Sequence, residues 1–254
     1  MAIILVLGNI GSGKTLTIVR EMVRNDQGLK FYTNITPAKP RLTPHIKKIN
    51  ASMIVLKELK ATKKKRDGTE EPVYEFKLNK EFWKSIDEPI TIVLDEVHTM
   101  FDARRGFSKV NNIFGDFLAM LRRVIGEDPM VQGDLILITQ LSRRVDVIGR
   151  DMVHQVRYHI CHYTKQCQRC FARWHETSEV PEPVKVCPVC GHNRLKKTHL
   201  SIEVKHFAGM TAYDGWKEWG MNTWHRHYFV NDVEGYFKYY STTQWEDMFS
   251  ELYD

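Results

Sequence analysis

Long hydrophobic runs are absent from this sequence of 254 residues. A membrane-spanning helix needs about 18 or more consecutive apolar residues, and no run here approaches that length. The apolar start at residues 2–7 is too short for a signal peptide and leads directly into a glycine-rich loop. With 43% hydrophobic and 27% charged residues, the composition is that of an ordinary globular protein. We therefore expect a cytoplasmic protein with no intrinsic membrane span.

Acidic residues are nearly absent from one long segment. Between Lys30 and Arg66 the sequence carries eleven lysines and arginines against a single acid, Glu58, although the net charge of the whole chain is only +6. Such a concentration of positive charge favours a surface for a polyanion, above all nucleic acid. A lysine-rich loop that is merely solvated is the alternative.

Cysteine is scarce as well, with five residues in all, but four of them form two C-x-x-C pairs. Sixteen residues separate the pair Cys167 and Cys170 from the pair Cys187 and Cys190, a spacing typical of zinc sites. Four thiolates suit tetrahedral Zn²⁺ and leave no open position for catalysis. We predict a structural zinc ribbon, with redox chemistry as a weaker alternative. The fifth cysteine, Cys161, is expected to be a buried or free thiol.

The cysteine pairs are surrounded by basic residues, with Phe171 and Trp174 among them. This mixture is compatible with nucleic-acid contact through charge and stacking. A protein-interaction or purely stabilising role is equally compatible with it.

The glycine-rich loop fits the pattern G-x-x-x-x-G-K-[ST] and follows a short apolar strand. A helical pattern begins directly after it, which is the context that a phosphate-binding P-loop requires. Backbone N–H groups of such a loop surround phosphates, Lys14 would reach the β- and γ-phosphates, and Thr15 would hold Mg²⁺. The predicted nucleotide-binding residues are Gly8, Gly11, Ser12, Gly13, Lys14, Thr15 and Asp95. A chance glycine-rich turn is the alternative.

A second apolar strand, residues 90–94, ends abruptly at Asp95 and Glu96. Buried carboxylates need partners, and in P-loop nucleotidases an acid at this place completes the Mg²⁺ shell. We assign that role to Asp95, and to Glu96 the positioning and deprotonation of the attacking water. Two exposed acids at a strand end are the alternative. A small-molecule kinase has no need to activate water, so Glu96 argues against that class.

Gln140 follows a third buried strand, residues 135–139. If this strand lies between the P-loop strand and the Asp95 strand, Gln140 would lie near the γ-phosphate as a sensor. A simple strand-terminating glutamine is equally compatible with the pattern.

The remaining patterns complete an α/β architecture. We predict a strand at residues 30–35, a basic hairpin of residues 52–59 and 73–78 inserted at the sheet edge around Asp67-Gly68, a helix capped by Asn79, and a helix over residues 110–125. The C-terminal part is rich in aromatic residues, which we expect to pack in the core or at a subunit interface. There we predict a loop-rich insertion at residues 209–222, a hairpin over residues 228–240 and a last helix over residues 243–252. His225 and His227 form a weak metal pattern, and we expect surface histidines.

These elements predict a RecA-like (ASCE) P-loop NTPase fold, with a mainly parallel sheet flanked by helices and an inserted zinc ribbon. The predicted organisation is an ATPase core at residues 1–160 with a basic hairpin insertion at about 40–78. The zinc ribbon follows at residues 161–200, and residues 201–254 complete the core.

Several motifs occur in an order that resembles one family. They are the P-loop, residues 32–35 (YTNI), residues 95–98 (DEVH) with Phe101 and Arg104, residues 133–140 (GDLILITQ), residues 145–150 (VDVIGR) and residues 238–242 (KYYST). Together they are similar to the zonula occludens toxin family, which includes the filamentous phage gene I assembly proteins, within the FtsK-HerA group of DNA-pumping and virion-packaging ATPases. Asp102 stands where that family usually has proline. The membrane helix of the phage members is not found, which favours a soluble, virus-encoded packaging motor.

The resemblance implies ATP hydrolysis that drives DNA translocation in genome packaging or virion extrusion. It also implies double-stranded DNA and virion proteins as partners, and a ring, usually a hexamer, in which an arginine reaches the γ-phosphate of a neighbouring subunit. We rank Arg150 first for that role and Arg144 second, with Arg104, Arg122, Arg123 and Arg143 as competitors. An ATP-gated assembly scaffold that binds coat proteins through its zinc ribbon and aromatic tail is the alternative function.

Overall fold

A mixed sheet of nine strands forms the centre of the protein. The computed structural model describes residues 2–64, 70–86, 88–97, 116–117, 133–140 and 151–240. The strands of this sheet within those ranges are β1 (Ile3–Leu7), β2 (Lys30–Thr33), β3 (Ile46–Lys48), β6 (Ile90–Leu94), β7 (Leu135–Ile138), β8 (Gln155–Cys167), β9 (Arg173–Thr177), β10 (Leu195–Phe207) and β11 (Trp224–Val230). Strands β4 (Val55–Lys64) and β5 (Glu70–Leu78) form a second, two-stranded sheet.

The P-loop strand β1 lies in the middle of the large sheet. The strand order is β11-β10-β8-β1-β7-β6-β2-β3, and the strands from β8 to β3 run parallel to one another. Strand β7 therefore lies between β1 and β6, as the Gln140 hypothesis requires. The predicted fold class, a mainly parallel α/β sheet flanked by helices with the P-loop strand in its middle, is confirmed.

Alternate side chains of β1 explain its unbroken apolar sequence. Ile3, Leu5 and Leu7 belong to one buried cluster, and Ile4 and Val6 belong to a second cluster on the opposite face. Because both faces of the strand are covered, no position on it can be polar.

Helices cover the two faces of the sheet. The first face carries α2 (Ala51–Ile54), α3 (Lys80–Lys84) and α4 (Gly209–Trp219), and the second carries α1 (Lys14–Arg24). Helix α3 begins after Asn79, whose side chain accepts a hydrogen bond from the Phe82 N–H, so the predicted cap is confirmed. In the described ranges, no helix combines the length and apolar character that crossing a membrane requires.

The predicted basic hairpin exists as strands β4 and β5, but it forms its own antiparallel sheet instead of joining the edge of the large one. Strand β5 contributes glutamates opposite the lysines of β4. Glu75 forms ion pairs with Lys60 and Lys77, and Lys77 also forms an ion pair with Glu58 at 2.7 Å. Lys60 of the basic segment is therefore paired with a glutamate of β5, whereas Lys77 belongs to β5 and pairs with Glu58, the single acid of that segment. Its turn, Asp67-Gly68, lies outside the described residues.

Strand β8 belongs both to the core and to the cysteine-containing region. Its first residues, Gln155–Tyr158, pair with β1, and the strand continues without interruption to Cys167 while pairing with β10 and β9. Residue 160, the predicted end of the ATPase core, lies inside this strand. The division of the chain at residues 160 and 200 stays a prediction.

Two predictions for the C-terminal part were wrong. The segment expected to be a loop-rich insertion contains helix α4, which ends at Gly220 in the left-handed conformation. Its aromatic residues Tyr213 and Trp216 are spaced for one helix face and pack on Tyr158 and Phe207 of the sheet. The glycines at its start, near its middle and directly after its end (Gly209, Gly215 and Gly220) disguised this pattern, because glycine is a poor helix former.

The expected hairpin over residues 228–240 is also absent from the structure. Strand β11 pairs instead with the preceding strand β10, across α4. A 3₁₀ helix, Glu234–Tyr239, comes after β11. Of the helix predicted over residues 110–125, only Asp116 and Phe117 are described, and both are helical. The helix predicted over residues 243–252 and its Trp245 lie outside the described residues.

Two buried histidines give the fold a defined response to pH. Burial lowers the pKa of His159 to about 3 and the pKa of His206 to about 4. In the unfolded chain both would take up a proton near pH 6.5. The folded state therefore binds fewer protons than the unfolded state below that pH.

We expect the two histidines to lower the free energy of unfolding as the pH falls from about 6.5 towards about 4, by about 1.4 kcal/mol per pH unit for each histidine. Below about pH 4 only His159 should continue to contribute, down to about pH 3. Urea unfolding of the wild type and of His159→Gln over a series of pH values measures this. The variant should show the shallower dependence, because it retains only His206. Parallel curves for the two proteins would show that His159 is not responsible.

Candidate active site

The loop between β1 and α1 depends on glycine at two crowded positions. Gly8 has a φ of 148°, and a Cβ atom there would lie 2.4 Å from the backbone oxygen of His159. Gly13 has a φ of 85°, and a Cβ atom there would lie 2.3 Å from Cδ1 of Ile202. Any side chain at either position would therefore push the loop off strands β8 and β10. Gly11, with a φ of 73°, meets nothing within 4 Å and needs glycine for its conformation alone.

Lys14 lies inside this loop, almost completely buried. Its Nζ donates to the backbone oxygens of Gly8 at 2.8 Å and Asn9 at 3.1 Å. Burial lowers its pKa, while the carboxylates of Glu96 and Asp95 act in the opposite direction. The ammonium group is thus held over the loop by carbonyl oxygens, which phosphate oxygens could replace.

Thr15 and Asp95 meet at the carboxyl end of the sheet. The Thr15 hydroxyl donates to Oδ2 of Asp95 at 2.8 Å. This contact brings together the two side chains that the sequence predicts as Mg²⁺ ligands. A hydroxyl and a carboxylate are oxygen ligands of the kind that Mg²⁺ prefers, so the residues present fit the ion.

The Asp95 carboxyl is strongly perturbed. Burial raises its pKa to about 6, the hydrogen bond from Thr15 opposes that rise, and the charge of Glu96 adds to it. Burial makes the ionised form of this carboxyl unfavourable, and a bound cation would stabilise that form. The raised pKa is therefore consistent with a position that binds a cation.

Asn34 fixes the backbone of Asp95 from the neighbouring strand. Its amide nitrogen donates to the Asp95 backbone oxygen at 2.9 Å, and its amide oxygen accepts from the Asp95 N–H at 2.8 Å. The sequence pattern did not identify Asn34 as a site residue. The available signal was its place in the family-like motif at residues 32–35, but its contact with Asp95 depends on the pairing of β2 with β6.

Glu96 and Gln140 are brought together by the order of the strands. The Gln140 amide donates to Oε1 of Glu96 at 2.9 Å. Glu96 has a φ of 53°, a conformation that is uncommon for a residue other than glycine. Its N–H donates to Oδ1 of Asp95 at 2.9 Å. The backbone thus turns at Glu96, and the two acids and the amide form one group at the strand ends.

The arginines considered for the neighbouring subunit's site cannot be placed. Arg150 and Arg144 lie outside the described residues, as do Arg104, Arg122, Arg123 and Arg143. His98, Phe101 and Asp102 of the family-like signature lie outside them as well.

The four cysteines of the two pairs converge at the far end of β8. The sulfur of Cys167 lies 3.6 Å from that of Cys190, and the sulfur of Cys170 lies 3.5 Å from that of Cys187. All four sulfur atoms lie within 4.8 Å of one another. Four sulfurs bound at about 2.3 Å to a tetrahedral ion would be about 3.8 Å apart, so this cluster could hold a metal ion.

Backbone groups support both cysteine pairs. N–H groups of Cys170 and then Arg169 lower the pKa of the Cys167 thiol to about 6, against the effect of burial. The residue after each pair, Phe171 or Gly191, has a left-handed backbone with a φ of 59° or 69°. Glycine at 191 suits this conformation, because it lacks a Cβ atom, whereas nothing in the sequence signals the same turn at Phe171.

His225 and His227, the two histidines of the weak metal pattern, do not form a comparable cluster. Within the part of the chain that the structure describes, the four cysteines are the one group of three or more potential ligands close enough to share an ion. His227 instead pairs with Glu203 at 2.9 Å, and His225 is exposed at the surface.

Comparison with known proteins gives one clear family match. The model of the family described as Zonular occludens toxin (Zot) matches residues 2–186, well over half of the chain. A search of curated proteins gives no match.

Two solved structures resemble the fold only distantly. The N-terminal domain of zonular occludens toxin from Neisseria meningitidis has a TM-score of 0.45 and 14% sequence identity, covering 94% of this chain and 98% of that one. The genome packaging NTPase B204 from Sulfolobus turreted icosahedral virus 2, in complex with AMPPCP, has a TM-score of 0.35 and 10% identity, covering 62% and 73%. Likeness at this level says nothing about the activity of this chain.

The cysteine cluster leads to a direct prediction about metal content. We expect the purified protein to carry about one metal ion per chain, and Cys187→Ser to lose it because three sulfurs remain. Elemental analysis after gel filtration measures both. Cys161→Ser is the control, since Cys161 lies outside the cluster and should leave the metal in place. Equal metal content in Cys187→Ser and the wild type would contradict the assignment.

Proposed function

Because the chain belongs to the zonular occludens toxin (Zot) family, we propose that it hydrolyses ATP to move DNA during genome packaging or virion assembly. The observation that carries this proposal is the meeting of the P-loop with two acids. Thr15 of the loop touches Asp95, and Glu96 follows beside Gln140. A nucleotide-binding loop, a cation position and a candidate general base then share one edge of the sheet.

The loop and Lys14 would bind the phosphates of ATP. Loop N–H groups and the N-terminus of α1 favour negative charge at this position. Lys14 would exchange the backbone oxygens of Gly8 and Asn9 for phosphate oxygens. Thr15 and Asp95 would hold Mg²⁺. When bound, this ion would neutralise negative charge on the β- and γ-phosphate oxygens.

Glu96 would position the attacking water and accept its proton. The oxygen of that water would form a bond to the γ-phosphorus as the bond to the ADP leaving group breaks. Gln140 would hold the Glu96 carboxylate in orientation through its amide. Gln140 follows β7, which lies between the P-loop strand β1 and the strand β6 that leads to the acids. The Gln140 side chain would therefore also be in a position to contact the γ-phosphate.

The finer parts of the proposal rest on family membership. We propose a ring of subunits, double-stranded DNA and virion proteins as partners, and an arginine supplied in trans, with Arg150 first and Arg144 second. We also propose Zn²⁺ as the ion of the cysteine cluster, in a structural role, because four thiolates close its coordination.

A second candidate function is an ATP-gated scaffold for virion proteins. Two observations favour it. The lysines of the hairpin are partly paired with its own glutamates. At the cysteine cluster, Phe171 is 68% exposed and Val189 is 72% exposed, which suits a protein contact at least as well as a nucleic acid.

We expect Glu96→Gln to lower ATP turnover by about 10²- to 10⁴-fold, because the amide cannot accept a proton. Nucleotide binding should persist, since the loop and Asp95 are unchanged. Phosphate release at saturating Mg-ATP measures turnover, and calorimetry measures binding. Glu88→Gln is the matched control, because Glu88 pairs with Lys30 at the other end of β6. Wild-type turnover in Glu96→Gln would show that another group handles the water.

Duplex DNA distinguishes the motor from the scaffold. A motor should show ATP turnover that rises several-fold with DNA and falls steeply with added salt, because phosphate contacts release counterions. Heparin at matched charge is the control for a general polyanion effect. Turnover that is indifferent to DNA at low salt would favour the scaffold.

A further inference from the structure

Hydrogen bonds connect the P-loop to residues 178 and 179, which follow strand β9 on the C-terminal side of the first cysteine pair. The side-chain amide of Asn9 donates to the backbone oxygen of Ser178 at 3.1 Å and to Oε1 of Glu179 at 3.2 Å. These contacts join parts of the chain that are about 170 residues apart in sequence. Neither Ser178 nor Glu179 has a role in the proposed hydrolysis.

Asn9 also carries one of the two backbone oxygens that hold the Lys14 ammonium. Its backbone oxygen accepts from the Lys14 ammonium at 3.1 Å and from the Ser12 N–H at 3.1 Å. A phosphate bound at the loop would compete with this oxygen for the Lys14 ammonium. Nucleotide binding therefore changes the contacts of the same residue whose side chain reaches Ser178 and Glu179.

Glu179 is itself held in place from two directions. Its carboxylate accepts from the Tyr158 hydroxyl at 2.8 Å and pairs with Lys217 of α4 at 3.4 Å. Burial first, and then the Glu179 carboxylate, raises the pKa of Tyr158 well above its ordinary range, so the phenol is a hydrogen-bond donor at neutral pH. Tyr158 pairs with Leu7, the last residue of β1. The carboxylate that holds Asn9 is therefore anchored to the core strand beside the loop.

The same segment leads back to the cysteine cluster. Strand β9 begins three residues after Cys170 and ends at Thr177, directly before Ser178. Ser178 is fixed to β8, because its N–H donates to the Cys161 backbone oxygen at 2.8 Å and its hydroxyl accepts from the Cys161 N–H at 3.0 Å. A five-residue strand is thus the main element between one cysteine pair and the contact with the P-loop.

We propose that Glu179 is a positioning residue for the P-loop, and that through it metal binding at the cysteine cluster and nucleotide binding are coupled. The inference rests on the proposed binding of a nucleotide at the loop. Coupling between two sites is reciprocal. The bound metal should therefore strengthen nucleotide binding, and bound nucleotide should strengthen metal binding by the same factor. We expect the stronger metal binding to appear as a slower loss of the metal.

Nucleotide affinity tests the first half of the proposal. Calorimetric titration with ADP compares the metal-loaded wild type with three variants. Glu179→Ala should bind ADP about five- to tenfold more weakly, because Asn9 loses its carboxylate partner. Glu179→Gln keeps an acceptor oxygen for Asn9 and should rescue binding to within about twofold. Glu182→Ala, at an exposed glutamate three residues further on, is the matched control and should bind as the wild type does.

The rate of metal loss tests the second half. A coloured chelator reports release of the ion from the cysteine cluster, with and without saturating ADP. ADP should slow release about fivefold in the wild type and in Glu179→Gln, and should leave the rate in Glu179→Ala unchanged. A residue that merely stabilised the fold would alter the rate without ADP and leave the effect of ADP intact.

The outcomes separate this inference from the proposed function. ADP binding that is equal in Glu179→Ala and the wild type, or an equal effect of ADP on metal loss in both, would overturn the coupling alone. A wild type that binds no ADP would overturn the coupling and the proposed function together. Should Glu179→Ala fail to fold, Asn9→Ala removes the other end of the same contact without touching the cysteine region. In it, ADP should no longer slow metal loss, and slowing as in the wild type would overturn the proposal.

Discussion

The hydrogen bond between Thr15 and Asp95 is the contact on which the candidate site depends. It can form only because β1 and β6 are parallel and in register with β7 between them. The carboxyl ends of these strands then lie at one edge of the sheet, where ligands of open α/β sheets bind. The apolar strand interiors fix that register, since a slip of one residue would turn buried side chains toward the wrong face. The chemistry of the site is thus a consequence of how the core packs.

A second constraint is that the cysteine cluster does not stand apart from the core. Strand β8 pairs with the P-loop strand at one end and carries Cys167 at the other. Its backbone also crowds Gly8, and β10 crowds Gly13. A protein that merely carried a metal-binding module on a flexible linker would show no such sharing. The continuous strand and the Asn9 contacts connect the cluster physically to the P-loop.

The sequence was sufficient for the parts of the fold whose signal is local. The strand, glycine loop and helix around Lys14 follow from a pattern of adjacent residues, as do the Asn79 cap and the pairs of cysteines. The sequence was insufficient where the structure depends on contacts between segments that are far apart along the chain. Helix α4 was hidden by its glycines, and β11 pairs with β10 across that helix instead of forming a hairpin with residues 231–240. Likewise, the partners Asn34 and Glu179 become evident only when distant segments meet. Lysine counts along β4 could not show the glutamates that β5 places opposite them.

Our proposal requires that the loop from Gly8 to Thr15 binds ATP for hydrolysis. The most direct measurement compares phosphate release from Mg-ATP by the purified wild type and by Lys14→Ala. We expect steady release by the wild type and loss of almost all of it in the variant, because Lys14 is the one basic residue in the sequence from Gly8 to Thr15. Equal release by the two proteins would contradict the account, as would a wild type that releases no phosphate with or without DNA.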